Sequence, residues 1–404
     1  MLNKLSHETA AANALLPRVL RRGTSSLPDM DSIAAALDDL YGVRIEPIIR
    51  KKGEVHCTGL YIDFTDERYI PGGGSVLEKA ISIAGEMLLS PATKNGKLRE
   101  DYIESEKSNL IDDIRAAIND KRGYSIDRLL ENMCADEAFG IKKLGSEKDV
   151  QAITVESLTE HHQQLVRNSR IELFYCGTAC PEKVHSVFKS ALESLPARHG
   201  VKVPETDIVY KPISDTPRHF TEALDVTQGK LTIGFRLGDT MKNPDYPALM
   251  VFNAIYGGSV SSKLFLNVRE RLSLCYYASS MIDKHKGVML VTSGVEFDKF
   301  DAALDEIQAQ LENVKACDIS EWEMTAAKRT VITSLKSALD RSGGLEELYF
   351  DSVISTVNYD PVNLSELVDA VTVERVVNMA SGIKTDSVYF LSGKENKEET
   401  DEVD

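Results

Sequence analysis

The chain reads twice, and that repeat limits its folds more than any other feature. Residues 153–177, ITVESLTEHHQQLVRNSRIELFYCG, and residues 371–393, VTVERVVNMASGIKTDSVYFLSG, share a threonine cap, a helix, a turn, an apolar run and a glycine; Thr154 and Thr372 lie 218 positions apart. A second pair sets ESEKSNLIDDIRAAINDK from Glu104 against EWEMTAAKRTVITSLKSA from Glu321, at an offset of 217. A third sets the segment Gly23 to Tyr41 against Gly258 to Tyr276, each 18 residues long in separation, at an offset of 235. Self-similarity on this scale implies two homologous halves of about 200 residues each, within the ordinary size range for a domain.

The stretch around Arg198 to Arg218, with Pro204, Pro212 and Pro217, carries little apolar periodicity and reads as a linker. The expected division is therefore 1–197, a linker over 198–218, 219–393, and a tail over 394–404. That tail, KENKEETDEVD, is acidic and lacks aromatics, the composition of a disordered segment. Leu77, Ala80, Ile81, Ala84 and Leu88 fall on one helix face, as do Phe300, Leu304, Ile307, Leu311 and Val314. Long helices are expected over Glu100–Asp120 and Ser320–Asp340, the second opened by a capping box of Ser320 and Glu323. Short β-rich runs occur at Leu60–Phe64, Ile171–Cys176, Leu231–Phe235, Val288–Val295 and Val388–Leu391. Strands mixed with long helices, without regular βαβ alternation, predict an α+β fold: an antiparallel-rich sheet covered on one face by helices, occurring twice in tandem.

Composition narrows the function. Of 404 residues, 47 are Lys or Arg and 63 are Asp or Glu, a net charge of −16, which disfavours nucleic acid or an anionic membrane as a partner. The sequence contains no apolar run of transmembrane length, and Met1 to Ala12 shows no secretory signal pattern. Six scattered cysteines suit a reducing, cytoplasmic setting. Cys176 and Cys180 form the only close pair; they lack zinc-ribbon spacing and read as plain thiols. The eight histidines, His7, His56, His161, His162, His185, His199, His219 and His285, include no i, i+4 pair suited to a helix-borne metal. Adjacent His161 and His162 point about 100° apart on a helix and read as solvated. PGGGS at Pro71 and YGGSVSSK at Tyr256 lack the order of a phosphate-binding loop and read as turns leading into helices.

The segment from Phe252 to Ser280, FNAIYGGSVSSKLFLNVRERLSLCYYASS, is the most informative. A helix ends at Gly257-Gly258, a second amphipathic helix follows with Leu264, Phe265, Val268 and Leu272 inward, and a strand runs from Leu274 to Ser280. The run Ser261-Ser262-Lys263-Leu264-Phe265, then Arg269-Glu270, then Leu274 and Tyr276, resembles the second-domain signature of the insulinase (pitrilysin) superfamily of zinc peptidases. The resemblance implies a LuxS/pitrilysin-like fold. It also implies that Arg269 and Tyr276, seven apart, hold a substrate backbone beside a zinc ion, with Gly257 and Gly258 in the substrate-binding segment. A fixed cation and a phenol can both donate to a carbonyl oxygen as negative charge develops on it.

The same resemblance locates the family's H-x-x-E-H helix just before Gly23-Thr24, at Ala14, Leu15, Leu16, Pro17 and Arg18. Ala14 and Arg18 stand at the two histidine positions and Pro17 at that of the general base; none of them can hold zinc or accept a proton from its water. Farther along, Glu106 matches a family carboxylate and Asp113 replaces the ligand glutamate. Pro17 is expected to remove a helix hydrogen bond. About seven residues precede this helix, where family members usually carry two edge strands, so its sheet is either truncated or completed otherwise.

Resemblance is strongest to the zinc-less subunit of a paired, Firmicutes-type bacterial group, through LLPRVLRRGT and LDDLYG. It implies a chain with no metal cofactor of its own that supplies Arg269 and Tyr276 to the zinc site of a paralogous H-x-x-E-H partner, around a chamber that admits peptides. The alternative is a structural or binding scaffold of the same fold with no part in proteolysis.

Overall fold

A computed structural model describes residues 1–72, 74–196 and 200–394; the acidic tail beyond Lys394, and Arg198 and His199 of the expected linker, lie outside the described residues. The chain divides into two compact units, Met1–Ala117 with Glu137–Thr206, and Ile118–Asp136 with Asp207–Asp404.

The first unit opens with β1 (Leu2–Lys4), α1 (His7–Leu20), α2 (Met30–Asp38), β2 (Arg44–Lys52), β3 (Val55–Asp63) and α3 (Val76–Leu89). It continues with a two-residue hairpin pair, β4 (Thr93–Lys94) and β5 (Lys97–Leu98), and with α4 (Glu100–Ala116). The next helix, α5 (Lys121–Met133), belongs to the second unit; α6 (Glu147–Ala152), α7 (Val155–Asn168) and α8 (Pro181–Ala191) return to the first. Its sheet has the order β1-β3-β2, antiparallel throughout. The six residues before α1 thus contribute a strand, with Leu2 set against Cys57. Ile171–Cys176, expected as β, forms none. Arg170, just before it, bridges Leu2 in antiparallel sense. The bridge at Arg170 does not extend into a ladder over these residues, and strand composition without ladder pairing does not make a strand.

α1 stays helical through Pro17. Proline removes the amide that would bond the carbonyl four residues back; that carbonyl, of Asn13, receives the Thr58 hydroxyl at 3.5 Å instead. Ala14, Leu15 and Leu16 are fully buried, packed with Ile103 and Leu110 of α4 and Leu158 of α7.

The second unit contains β6 (Arg218–Leu224), β7 (Gly229–Arg236), α9 (Tyr246–Tyr256), a π-helical stretch (Leu264–Arg271), β8 (Cys275–Asp283), β9 (Val288–Val295), α10 (Phe300–Lys315), α11 (Glu321–Leu339), α12 (Ser342–Ser355), α13 (Pro361–Asp369), α14 (Val373–Ser381) and β10 (Lys384–Gly393). Its five strands run β6-β10-β7-β9-β8, antiparallel except for β6 beside β10. β9 is buried along its whole length, the pattern of a strand covered on both faces. α9, α10, α11 and α14 contribute to one core with the sheet. Within it, Phe252 stacks on Tyr256 at 5.6 Å, and the Tyr256 hydroxyl donates to the Ile307 carbonyl at 3.0 Å.

The expectation of helices on one face only is corrected by α5, which crosses the sheet. Gly234 makes room for it: a Cβ there would lie 2.4 Å from Met133 Sδ. Ser125 bonds Thr232 at 2.9 Å, and Tyr124 and Arg128 both donate to Glu222. At the helix end, the Met133 carbonyl accepts from Arg218 at 2.9 Å and Arg236 at 3.3 Å, both of which pair with buried Asp386. Cations at a helix C-terminus meet its partial negative charge. The first half is therefore not continuous from 1 to 197, since Ile118–Asp136 packs with the second unit. The described part of the linker, residues 200–217, forms neither helix nor strand.

Candidate functional site

Two places carry the residues singled out above, one in each unit. In the first, α1 and α4 pack together. Arg18 on α1 and Arg22 in the turn just after it face Asp113 and Glu106, two turns apart on α4. Arg18 pairs with Asp113 at 2.8 Å, and Arg22 with Glu106 at 2.8 Å. Glu106 also accepts from Asn109 at 3.2 Å, and Arg22 lies over the Tyr102 ring. A guanidinium at position 18 thus neutralises the carboxylate that the resemblance makes a former metal ligand. Asp113 is exposed and paired with Arg18.

Ala14 is wholly buried and Pro17 is buried in the same helix. Among the described residues, no group of three or more His, Cys, Asp or Glu side chains could hold a metal ion. The donor set does not fit zinc: an alanine and an arginine offer no lone pair to a cation.

Beside this helix lies a histidine pair that the sequence reading misjudged. Asn13 donates from Nδ2 to His56 Nδ1 at 3.1 Å and accepts from His161 Nε2 at 2.9 Å. His162 Nε2 donates to the Leu88 carbonyl at 2.7 Å. His161 is half-buried and His162 buried, so neither is a solvated helix residue. Burial pushes the imidazoles of His56 and His161 down to about 4, so both are neutral at pH 7. A sequence signal for this existed: Leu158, His161, His162 and Leu165 share one face of α7 at i, i+3, i+4, i+7.

The second place is the junction between the π-helical stretch and β8. Leu272 donates its amide to the Asn267 carbonyl, five residues back, at 3.1 Å. Leu264 and Val268 point inward as expected, but Phe265 is half-buried and Leu272 is exposed. The wider turn ends at Leu272, which caps it instead of continuing the apolar face. Lys263, buried just ahead of the stretch, reaches Glu323 at 2.9 Å, and Glu323 caps α11 through Ser320 at 2.8 Å. Burial raises the Glu323 carboxyl, but the Ser320 amide and Lys263 outweigh it and hold it below its usual range.

Arg269 is half-exposed, lies 4.7 Å over the Phe265 ring and pairs loosely with Glu270 at 3.3 Å. The chain turns at Ser273, in the left-handed region at φ 49°, and enters β8. Tyr276 sits where the β8–β9 register shifts, between Cys275 opposite Val295 and Tyr277 opposite Gly294. It is 61% exposed. A bulge re-aims a side chain and interrupts pairing.

Gly257 and Gly258, implied in the substrate-binding segment, end α9 close to β8 and to Asn253. Gly257 is buried against β8, where a Cβ would lie 2.8 Å from the Ser280 amide, and its carbonyl accepts that amide at 3.0 Å. A Cβ on Gly258 would meet Asn253 Nδ2 at 2.5 Å. Both glycines serve close packing of the α9 end. β8 is further fixed by Arg122 of α5, which donates to Ser279 at 2.9 Å and Thr292 at 3.0 Å and lies 4.7 Å over the Tyr277 ring.

Comparison with known proteins bears on both places. Residues 152–331 match the family model described as Peptidase M16 inactive domain. The chain is 32% identical to the probable inactive metalloprotease YmfF of Bacillus subtilis, over 98% of this chain and 92% of that one. It is 23% identical to the uncharacterized zinc protease YmxG of the same organism, over 96% and 89%. A crystal structure of a conserved protein from Enterococcus faecalis superposes with a TM-score of 0.86 at 25% identity, covering 97% of this chain and 92% of that one. A peptidase M16 inactive domain from Pseudomonas fluorescens has the same fold, with a TM-score of 0.72 at 14% identity over 97% and 92%.

Proposed function

The chain belongs to the M16 peptidase (insulinase) family as an inactive-domain protein, and from that premise we propose that it is the substrate-positioning subunit of a two-chain zinc peptidase. The observation that carries the reading is the contrast at the two places. The former metal position holds an Arg18–Asp113 ion pair, while Arg269 is half-exposed and Tyr276 stands in solvent on a strand bulge. The partner is a paralogue with an intact H-x-x-E-H helix. Its zinc supplies the Lewis acid and the activated water. This chain supplies Arg269 and Tyr276, which donate hydrogen bonds to the scissile carbonyl oxygen as it becomes an oxyanion.

The test is steady-state kinetics of the reconstituted pair. Arg269→Ala and Tyr276→Phe are each expected to lower kcat about 10²-fold with a smaller change in KM, the signature of an interaction made mainly in the transition state. Unchanged turnover in both variants would reject the positioning role and leave a scaffold of the same fold. The uncharged Tyr276→Phe variant keeps the ring and removes only the hydroxyl, so its effect separates chemistry from packing.

A further inference from the structure

We propose that Cys176 and Cys180 form a reversible dithiol–disulfide pair on the surface of the first unit. The inference is independent of the function proposed above. Among the six free cysteines, Cys57 and Cys134 are buried and Cys275 is half-buried, with its thiol pushed up by burial. Cys176, Cys180 and Cys317 are exposed. Two of these three lie four residues apart.

The segment between them is already folded back. Residues 177–179 form a bend. The Tyr175 ring turns beneath it, so that a Cβ on Gly177 would lie 2.3 Å from the Tyr175 hydroxyl, and that hydroxyl accepts the Ala179 amide at 3.3 Å. Residues 175 and 179 are thus joined through one side chain, and the cysteines are the next residue after each. Thr178 anchors the tip by donating to Asp66 at 2.6 Å. Cys180 is the residue before α8, and its side chain makes no capping hydrogen bond there, so the sulfur is not committed to the helix. A disulfide needs Cα atoms about 4.4–6.8 Å apart, and the bend over residues 177–179 turns the chain from the extended form that would hold them farther apart.

The oxidant is a hydroperoxide. One thiolate attacks a peroxide oxygen; the O–O bond breaks, hydroxide leaves and is protonated to water, and a sulfenic acid remains. The second thiol then attacks the sulfenic sulfur; the S–S bond forms, the S–O bond breaks and a second water leaves. Two electrons pass from the two sulfurs to the peroxide. A dithiol such as glutathione-coupled glutaredoxin reverses the step by exchange. Closure pins the start of α8, which packs on α3.

The experiment treats the full, reduced chain with an equivalent of hydrogen peroxide, quenches it, and reads intact mass and proteolytic peptides. The expected product is lighter by about 2 Da and carries a bond between Cys176 and Cys180 within one peptide. Cys317→Ser should leave this unchanged. Cys176→Ser should abolish it and leave Cys180 as a sulfenic acid or a mixed disulfide with added glutathione. Separate adducts on both cysteines of the unaltered chain, or dimers linked between chains, with no internal bond, would overturn the proposal. Both variants change exposed residues, so their folding is checked directly by circular dichroism.

Discussion

The α1–α4 face and the π-helix–β8 junction use the same chemical materials to opposite ends. At the first, arginines from α1 and the turn after it meet carboxylates of α4 and each charge is paired with its partner. At the second, the buried lysine, Lys263, is spent on structure through Glu323, and this leaves Arg269 and Tyr276 facing solvent. Burial decides what each pair does. Arg18 and Asp113 have side chains 22% and 54% exposed, where an ion pair contributes up to about 1 kcal/mol. Lys263 and Glu323 are 5% and 14% exposed, where removing one partner strands the other. The exposed ion pair contributes little to stability, while the buried one beside Arg269 is costly to break.

That contrast is broken most sharply at Lys263. Lys263→Ala is expected to destabilise the chain by about 3 kcal/mol, read as a lowered denaturant midpoint. A midpoint shift no larger than that of an exposed lysine would show that the pair contributes little. The next effect is on pH. His56 and His161 titrate near 4 in the folded chain and near 6.5 when unfolded. The unfolded chain therefore binds more protons between these values, so stability is complete above about pH 6.5 and falls as pH drops toward 4, by on the order of 3 kcal/mol for His56. His56→Gln should flatten this part of the pH–stability curve; an unchanged slope would assign it to other groups. The smallest effect is at Arg18. Arg18→Ala should cost under about 1 kcal/mol and should not create zinc binding, because Ala14 and Pro17 still offer no ligand. Zinc bound by that variant at unit stoichiometry would contradict the account of the first site.

Much of this architecture was legible in local patterns. Val288–Val295 stands as a strand over the residues read from its β-rich composition. Ser320 and Glu323 make the reciprocal capping bonds that their spacing implied, and Thr154 and Thr372 both cap the helices that follow them. Non-local pairing was not legible. Leu2–Lys4 is too short to show alternation, and it is a strand because β3 lies beside it. Ile171–Cys176 has strand composition, but the bridge at Arg170 does not extend into it as a ladder. α5 reads as an ordinary amphipathic helix, and nothing in it announces that its partner is a sheet whose first strand begins 85 residues beyond its last residue. At the site, the residue types of Ala14, Pro17 and Arg18 were enough to exclude metal ligation. The Arg18–Asp113 pair and the bulge at Tyr276 needed the packing of α1 on α4 and the register of β8 on β9.

The most direct measurement is peptide hydrolysis by the chain alone, by an H-x-x-E-H paralogue alone, and by the two co-purified, with zinc counted per complex. The account predicts activity in the mixture only, with one zinc per pair. A stable complex that leaves a broad peptide library uncut, or hydrolysis by the paralogue that this chain does not raise, would contradict it.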